Sequence, residues 1–349
     1  MIISGVGKIV DGQGDLSRFR DLVSRLEACD LKTHHLTSAV LRMGWHGKTV
    51  PENCVVSACS PMAAAEIARD LFARGDAEAV VLNASDHIRS DYAKEERARL
   101  MVAFAGGETH LDGYVHVAEH FTKHNDLTIG QFHDIAAALF ANYQQTSRRD
   151  YPDRPEPDAR WFDLINPYFR GVDCANPYVD FDGGLIFLTE KAADACGVAD
   201  NERIRILGNQ MTELGEDTLA WAPEIAKYDH LADVYRRTCD QAGTDFTDLF
   251  LQKQALLEVY TCYPVVPMGF LTASGIAANA CEIPELLQSQ EVTQTGGLNL
   301  GRAAWNNTTL NNIITMVEKL TSGDGPKIGG VHGNGSIGYQ QGFMILQAT

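Results

Sequence analysis

Residues 53–88 read NCVVSACSPMAAAEIARDLFARGDAEAVVLNASDHI, and the order of elements they encode decides the fold. A short apolar run over 55–58 delivers Cys59 to the start of a small-residue helix. That helix is expected over 61–73, with apolar positions at Met62, Ala65, Ile67, Ala68, Leu71 and Phe72, and with Pro61 in its tolerant first turn. Gly75 and Asp76 end it, and the run 79–82 reads as a buried strand. A thiol at a strand-to-helix junction faces the positive end of the helix macrodipole, which favours thiolate and makes a nucleophile. On its own, one cysteine among eight reads equally as a small buried side chain.

Working outward, residues 1–6 read as a strand and 36–43 as another. Between them, Phe19, Leu22, Val23 and Leu26 have helical spacing. This alternation is α/β, a sheet covered by helices. From 85 to 174 histidines, charges and aromatics replace the valine runs, and DYPDRPEP (150–157) reads as an irregular polar loop. Ile135, Ala138, Leu139 and Ala141 mark a buried helical stripe within that excursion. His116, His120 and His124 share one helix face, with His133 nearby. No carboxylate completes a metal motif there, so a solvated polar face is the reading and no metal is expected. The chain returns with a strand over 182–189 (DGGLIFLT) and a helix over 190–196. Strands over 203–207 and 255–262, helices over 231–242, 265–278 and 306–320, and strands over 327–331 and 343–347 then repeat the first half in outline.

At 349 residues the chain suits two domains or two halves sharing a core. A hydrophobic content of 45 % with 21 % charged residues describes a soluble globular protein. The net charge of -17 argues against nucleic acid or an anionic membrane as the main partner. The cysteines form no CxxC pair, and nothing at the N-terminus reads as a signal peptide. A reduced, cytoplasmic protein is expected. Gly12-Gln13-Gly14 lacks the rest of a phosphate-loop pattern and reads as a turn.

Cysteine, small residues, a helix of Ala and Leu, then Arg-Gly-Asp-Ala and a run of valines resemble the nucleophile segment of the thiolase superfamily. Cys59 falls on its acyl-accepting cysteine. Residues 114–149 resemble the loop-domain helices of sterol-carrier-protein-type thiolases, and CANPYVDFDGGLIFLTEKAADACGV (174–198) their return strand and helix. LLEVYTCYP (256–264) and TGGLNLGRAAWNNTTL (295–310) sit where the family has oxyanion-hole segments. KIGGVHGNGSIGYQQGFMIL (327–346) is similar to its closing glycine-rich loop and strand. The matched segments follow one another in the family's order.

The resemblance implies a five-layered αβαβα fold from two similar halves, 1–84 with 175–201 and 202–349, carrying 85–174 as an inserted loop domain. It implies Cys59 as acyl carrier and His332 as acid/base, with Asn334 and Ser336 as secondary donors of an oxyanion hole. Coenzyme A then enters as a thioester substrate, no resident cofactor is expected, and at least a homodimer is.

The departures are specific. The histidine of the family's Gly-His-Pro motif falls on Ala303, or on Arg302 with one gap, and Tyr260 stands where the family has Asn or His. Losing one preorganised donor typically costs roughly 3 to 4 kcal/mol in barrier. Tyr260, Trp305 and Asn306 are candidate replacement donors. Cys262-Tyr263-Pro264, the double glycine and Asn306-Asn307 resemble a branch of acetyl-CoA acetyltransferases that includes C-acyltransferase complex subunits and lacks the same histidine. The expected function is acyl transfer through Cys59 from an acyl-CoA-type thioester to a small acceptor. The alternatives are a non-catalytic binding or scaffold subunit, and a retro-aldol or retro-Claisen lyase working with a small OB-fold partner.

Overall fold

A computed structural model describes residues 1–43, 51–104, 106–302, 304–323 and 325–349. The chain runs β1 (Ile2–Val10), β2 (Gln13–Asp15), α1 (Ser17–Ala28), β3 (Thr33–Ser38), β4 (Cys54–Val55), α2 (Ser60–Arg74) and β5 (Ala79–His87). Three helices, α3 (Lys94–Leu100), α4 (His110–His124) and α5 (Ile129–Asp150), then leave the sheet. The chain rejoins it at β6 (Asp180–Leu188), followed by α6 (Glu190–Ala195). The remainder is β7 (Ile204–Glu213), α7 (Ala222–Ile225), α8 (Asp229–Ala242), α9 (Phe246–Leu251), β8 (Ala255–Glu258), α10 (Val265–Ala273), α11 (Ile283–Leu286), α12 (Thr308–Thr321), β9 (Ile328–Gly335) and β10 (Gln340–Ala348).

The strands order as β4-β3-β5-β6-β1-β7-β10-β9-β8, with β2 paired to β1. Read outward from the centre, β1-β6-β5-β3 and β7-β10-β9-β8 repeat one pattern: two antiparallel neighbours, then a parallel one. Among the described residues the two sets pair with each other at Ile2↔Arg205 and Ile3↔Ile204. This internal duplication, invisible as sequence identity, is explicit in the pairing.

Burial resolves the layers. Along β10, Met344 and Leu346 face one way and Phe343 and Ile345 the other, as the period of a strand requires. The first pair joins Val80, Leu82, Phe181 and Phe187 of the other half around Met62, Ala65 and Ala68 of α2 and Leu310, Ile313 and Val317 of α12. Two helices are thus enclosed between two sheet halves. Small residues on α2 allow this, because a bulky face would hold the halves apart. Helices α1 and α6 cover the outer side of one half through Leu22, Leu26, Ala192 and Ala193. Helices α8, α9 and α10 cover the other through Leu231, Val234, Phe246 and Phe270. The result is the five-layered αβαβα arrangement.

The boundaries follow local chemistry. Helix α2 starts with Pro61 in its first turn and ends on Gly75 at φ 72°. Thr128, which breaks the helical pattern of the insertion, is the N-cap of α5 in a capping box with Gln131. The strand expected over 36–43 ends at Ser38 and gives way to a short 3-10 turn, Leu41–Met43. The strand expected over 255–262 stops at Glu258. Beyond it the Val259 N–H donates to Val292 and the Tyr260 N–H to His332, so these residues leave the ladder without losing hydrogen bonds. Among the described residues no helix is long and apolar enough to cross a membrane.

Gly208 of β7 lies under α8, where an added Cβ would stand 2.4 Å from the Thr238 carbonyl oxygen. Gly208→Ala should therefore destabilise the fold by roughly 1 to 3 kcal/mol, read as a lowered thermal midpoint by circular dichroism.

Candidate active site

The two enclosed helices begin at the same place. Cys59 is the N-cap of α2, and Thr308 opens α12. The Thr309 hydroxyl donates to the Ala58 carbonyl at 2.6 Å, fastening one helix start to the other. Ala58 and Thr308 both line a small cavity of about 80 Å³. Its remaining wall includes Tyr114, Tyr260, Cys262, Tyr263, Trp305, His110, Asn334 and Ser336. Two positive macrodipole ends therefore meet at one cavity, which suits developing negative charge there. The volume is well below that of a whole-ligand pocket and admits only the reacting end of a substrate.

Cys59 follows the cavity-lining Ala58 but does not itself line the cavity, and it is fully buried. Its N–H donates to the Ser57 hydroxyl at 2.9 Å, and its sulfur lies against Gly333, where a Cβ would come within 2.9 Å of it. Burial, with the Glu213 carboxylate adding to it, raises the thiol pKa well above its ordinary value. The helix-start position, expected to favour thiolate, is outweighed by desolvation of the charged form. Hydrogen bonds also link the two segments: the Ser57 hydroxyl donates to Gln340 at 3.1 Å, and Gln340 donates to Glu213 at 2.5 Å.

His332 is not beside Cys59. The stretch expected to be a glycine-rich loop is mostly strand, with His332 paired to Phe343 and Gly333 to Gly342. Gly333 and Gly342 form a flat floor under Cys59 and Met62. His332, one residue away, projects to the opposite face, where its ring stacks on Phe270 with centroids 4.6 Å apart. Its Nδ1 accepts from the Tyr260 N–H at 3.4 Å, so Nε2 carries the proton and donates to Gln341 at 2.7 Å. Burial lowers its pKa to about 4. The imidazole is held by two hydrogen bonds on the face of the sheet opposite the Cys59 sulfur.

The other sequence-derived residues divide. Tyr260, Trp305, Asn334 and Ser336 all line the cavity, whereas Asn306, buried in the same turn as Trp305, does not. Asn334 donates to the Tyr114 hydroxyl at 2.7 Å and accepts from Gln341 at 2.9 Å, and the Ser336 hydroxyl donates to Asp217 at 2.5 Å. These two side chains position the wall. Tyr114 donates to the Ser336 carbonyl at 2.6 Å and is equally committed. Tyr260 hydrogen-bonds Thr308, and burial raises its pKa, so it stays a phenol. Of the two positions matching the family histidine, Ala303 lies outside the described residues, and Arg302 pairs with Asp11 away from the cavity.

Sequence reasoning missed Tyr114, Tyr263 and His110. Tyr114 and Tyr263 stack at 4.3 Å, and His110 meets the edge of Trp305 at 5.4 Å. Only the Cys262-Tyr263-Pro264 tripeptide carried a local signal. His116 and His124 are exposed on α4 and His120 is half-buried. A larger cleft lined by Lys8, Arg18, Arg25, Asp15 and Glu318 contains none of the site residues.

No protein-family model matches the chain, and no curated protein does. Solved structures do. A monomeric SCP2-thiolase-like protein type 1 from Mycobacterium smegmatis superposes with a TM-score of 0.71 at 16 % identity, covering 100 % of this chain and 77 % of that one. The Ltp2-ChsH2(DUF35) aldolase superposes with a TM-score of 0.68 at 15 % identity, covering 99 % of this chain and 97 % of that one. The fold is therefore thiolase-like, as the resemblance implied.

His332 also sets a pH dependence. With its folded pKa at about 4, below the ordinary histidine value of 6.5, the unfolded chain binds more protons between those limits. Stability is present above pH 6.5 and is lost as pH falls toward 4, by up to about 3 kcal/mol. His332→Leu should flatten that component of a pH series of urea unfolding curves, while lowering stability at pH 7 by stranding Gln341.

Proposed function

We propose that the chain is a cytoplasmic thiolase-fold enzyme that breaks or forms a carbon–carbon bond beside the carbonyl of an acyl thioester, with Tyr260 rather than Cys59 at the centre of the reaction. One observation carries this reading: the cavity is walled by phenols and an imidazole, while the neighbouring thiol is buried and lies on the opposite face of the sheet from the histidine expected to activate it.

In the cleavage direction, His110 accepts the proton of a β-hydroxyl group. The carbon–carbon bond breaks to release a carbonyl compound, and the electron pair moves onto the thioester as an enolate. The Tyr260 phenol donates to the enolate oxygen at the starts of α2 and α12, and the proton returns to carbon. Preorganised donors of this kind supply the stabilisation that the absent Gly-His-Pro histidine gives elsewhere. His110 and Tyr114, both within residues 85–174, line the cavity, which supports the inserted segment as the unit that closes over the substrate. The aldolase named among the structural neighbours supports this reaction class for the fold. The same reading includes a coenzyme A thioester, a homodimer and a small OB-fold partner, which light scattering and co-purification address.

Acyl transfer on Cys59 is the second reading, favoured by its N-cap position and by the bare Gly333 beside its sulfur. Turnover of β-hydroxyacyl-CoA esters, together with intact mass after exposure to acyl-CoA, separates the two. Tyr260→Phe should lower kcat by roughly 10²- to 10³-fold, and Cys59→Ala should leave it within about threefold. A stable acyl adduct lost in Cys59→Ala, with turnover lost alongside it, transfers the assignment to the thiol.

A further inference from the structure

Away from the cavity, two cysteines close the outer layer of the first half. Cys29 caps the C-terminus of α1 and Cys196 caps that of α6. The Cys29 thiol donates to the Ala195 carbonyl at 3.4 Å, which sets it beside Cys196, the next residue in the chain. Arg25 holds the approach in place, donating from Nη1 to the Cys196 carbonyl at 2.8 Å and to the Gly197 carbonyl at 3.4 Å. Cys29 is exposed, whereas Cys196 is 5 % exposed and lies behind it. An accessible thiol with a shielded second cysteine beside it is the arrangement in which oxidation resolves to a bond.

We propose that Cys29 and Cys196 form a reversible disulfide when a peroxide reaches the surface of α1, stapling α1 to α6 across β1 and β6. The Cys29 thiolate attacks one peroxide oxygen, which breaks the O–O bond, releases one water after protonation and leaves a sulfenic acid. The Cys196 sulfur then attacks the sulfenic sulfur, the S–O bond breaks and a second water leaves. In sum, two thiols and one hydrogen peroxide give one disulfide and two waters, the sulfurs being oxidised and the peroxide reduced. A dithiol reductant reverses it.

The bond joins residues far apart in sequence that the fold already brings together through Ala195 and Arg25, so it restricts the unfolded chain with little rearrangement of the folded one. Leu22, Leu26, Ala192 and Ala193 pack on the same strands, and the staple holds that layer in place. The site shares no residue with the cavity, so this inference is independent of the chemistry at Tyr260.

The test uses the full chain treated with hydrogen peroxide, blocked with N-ethylmaleimide and digested without reduction. The expected product is a cross-linked peptide pair carrying Cys29 and Cys196, which disappears on dithiothreitol treatment and raises the thermal midpoint by several degrees. Cys29→Ser should abolish the cross-link. Cys196→Ser should leave Cys29 as a sulfenic acid trapped by dimedone, with Cys196→Ala repeating this if the serine unsettles the packing. Cys29 oxidised in the wild type without a partner, bonded to another cysteine or bonded to a second molecule would overturn the proposal.

Discussion

Two helices enclosed between two halves of a sheet are the constraint on which the rest of the structure depends. Because α2 and α12 are covered on both sides, their faces must be apolar or small, and Ala64, Ala65 and Ala68 on one with Leu310, Ile313 and Ile314 on the other meet that demand. Because the halves are related by duplication, both helices start near the same point, and Thr309 ties the starts together. The cavity, its field of backbone N–H groups and the burial of Cys59 all follow. A thiol at such a junction is as enclosed as the helix it caps.

Strand phase is the second constraint. Gly333 and Gly342 lie side by side because Cys59 and Met62 need room above them, and that places His332 and Phe343 on the other face with Phe270. The same backbone that accommodates the thiol turns the imidazole away from it. His332 and Gln341 then hold Tyr260 through its N–H and Asn334 through its side chain, so the histidine shapes the cavity from behind.

Much of this was legible in residues 53–88, where helical spacing, a proline in the first turn and a terminal glycine fix α2, and the valine run fixes β5. The duplicated order of elements was legible as well, and the family's motif order brought Tyr260, Trp305, Asn334 and Ser336 to one place. The face of His332 was not, because HGNGS reads as a loop until its register with β10 is known, and a shift of one residue reverses every side chain. Tyr114 and His110 come from the inserted helices, far from Tyr263 and Trp305 in sequence, so no local pattern announces the stacked pair or the imidazole. The state of the Cys59 thiol was hidden for a related reason: the helix dipole is local and readable, whereas burial is a property of the assembled layers.

The central claim is that substrate chemistry belongs to the tyrosine-walled cavity and not to the buried Cys59 thiol. A crystal structure with a non-cleavable β-hydroxyacyl thioester analogue tests this most directly. The account predicts the thioester carbonyl oxygen at about 3 Å from the Tyr260 hydroxyl, with Cys59 unmodified. An acyl group bonded to the Cys59 sulfur, or an analogue seated away from Tyr260, would contradict it.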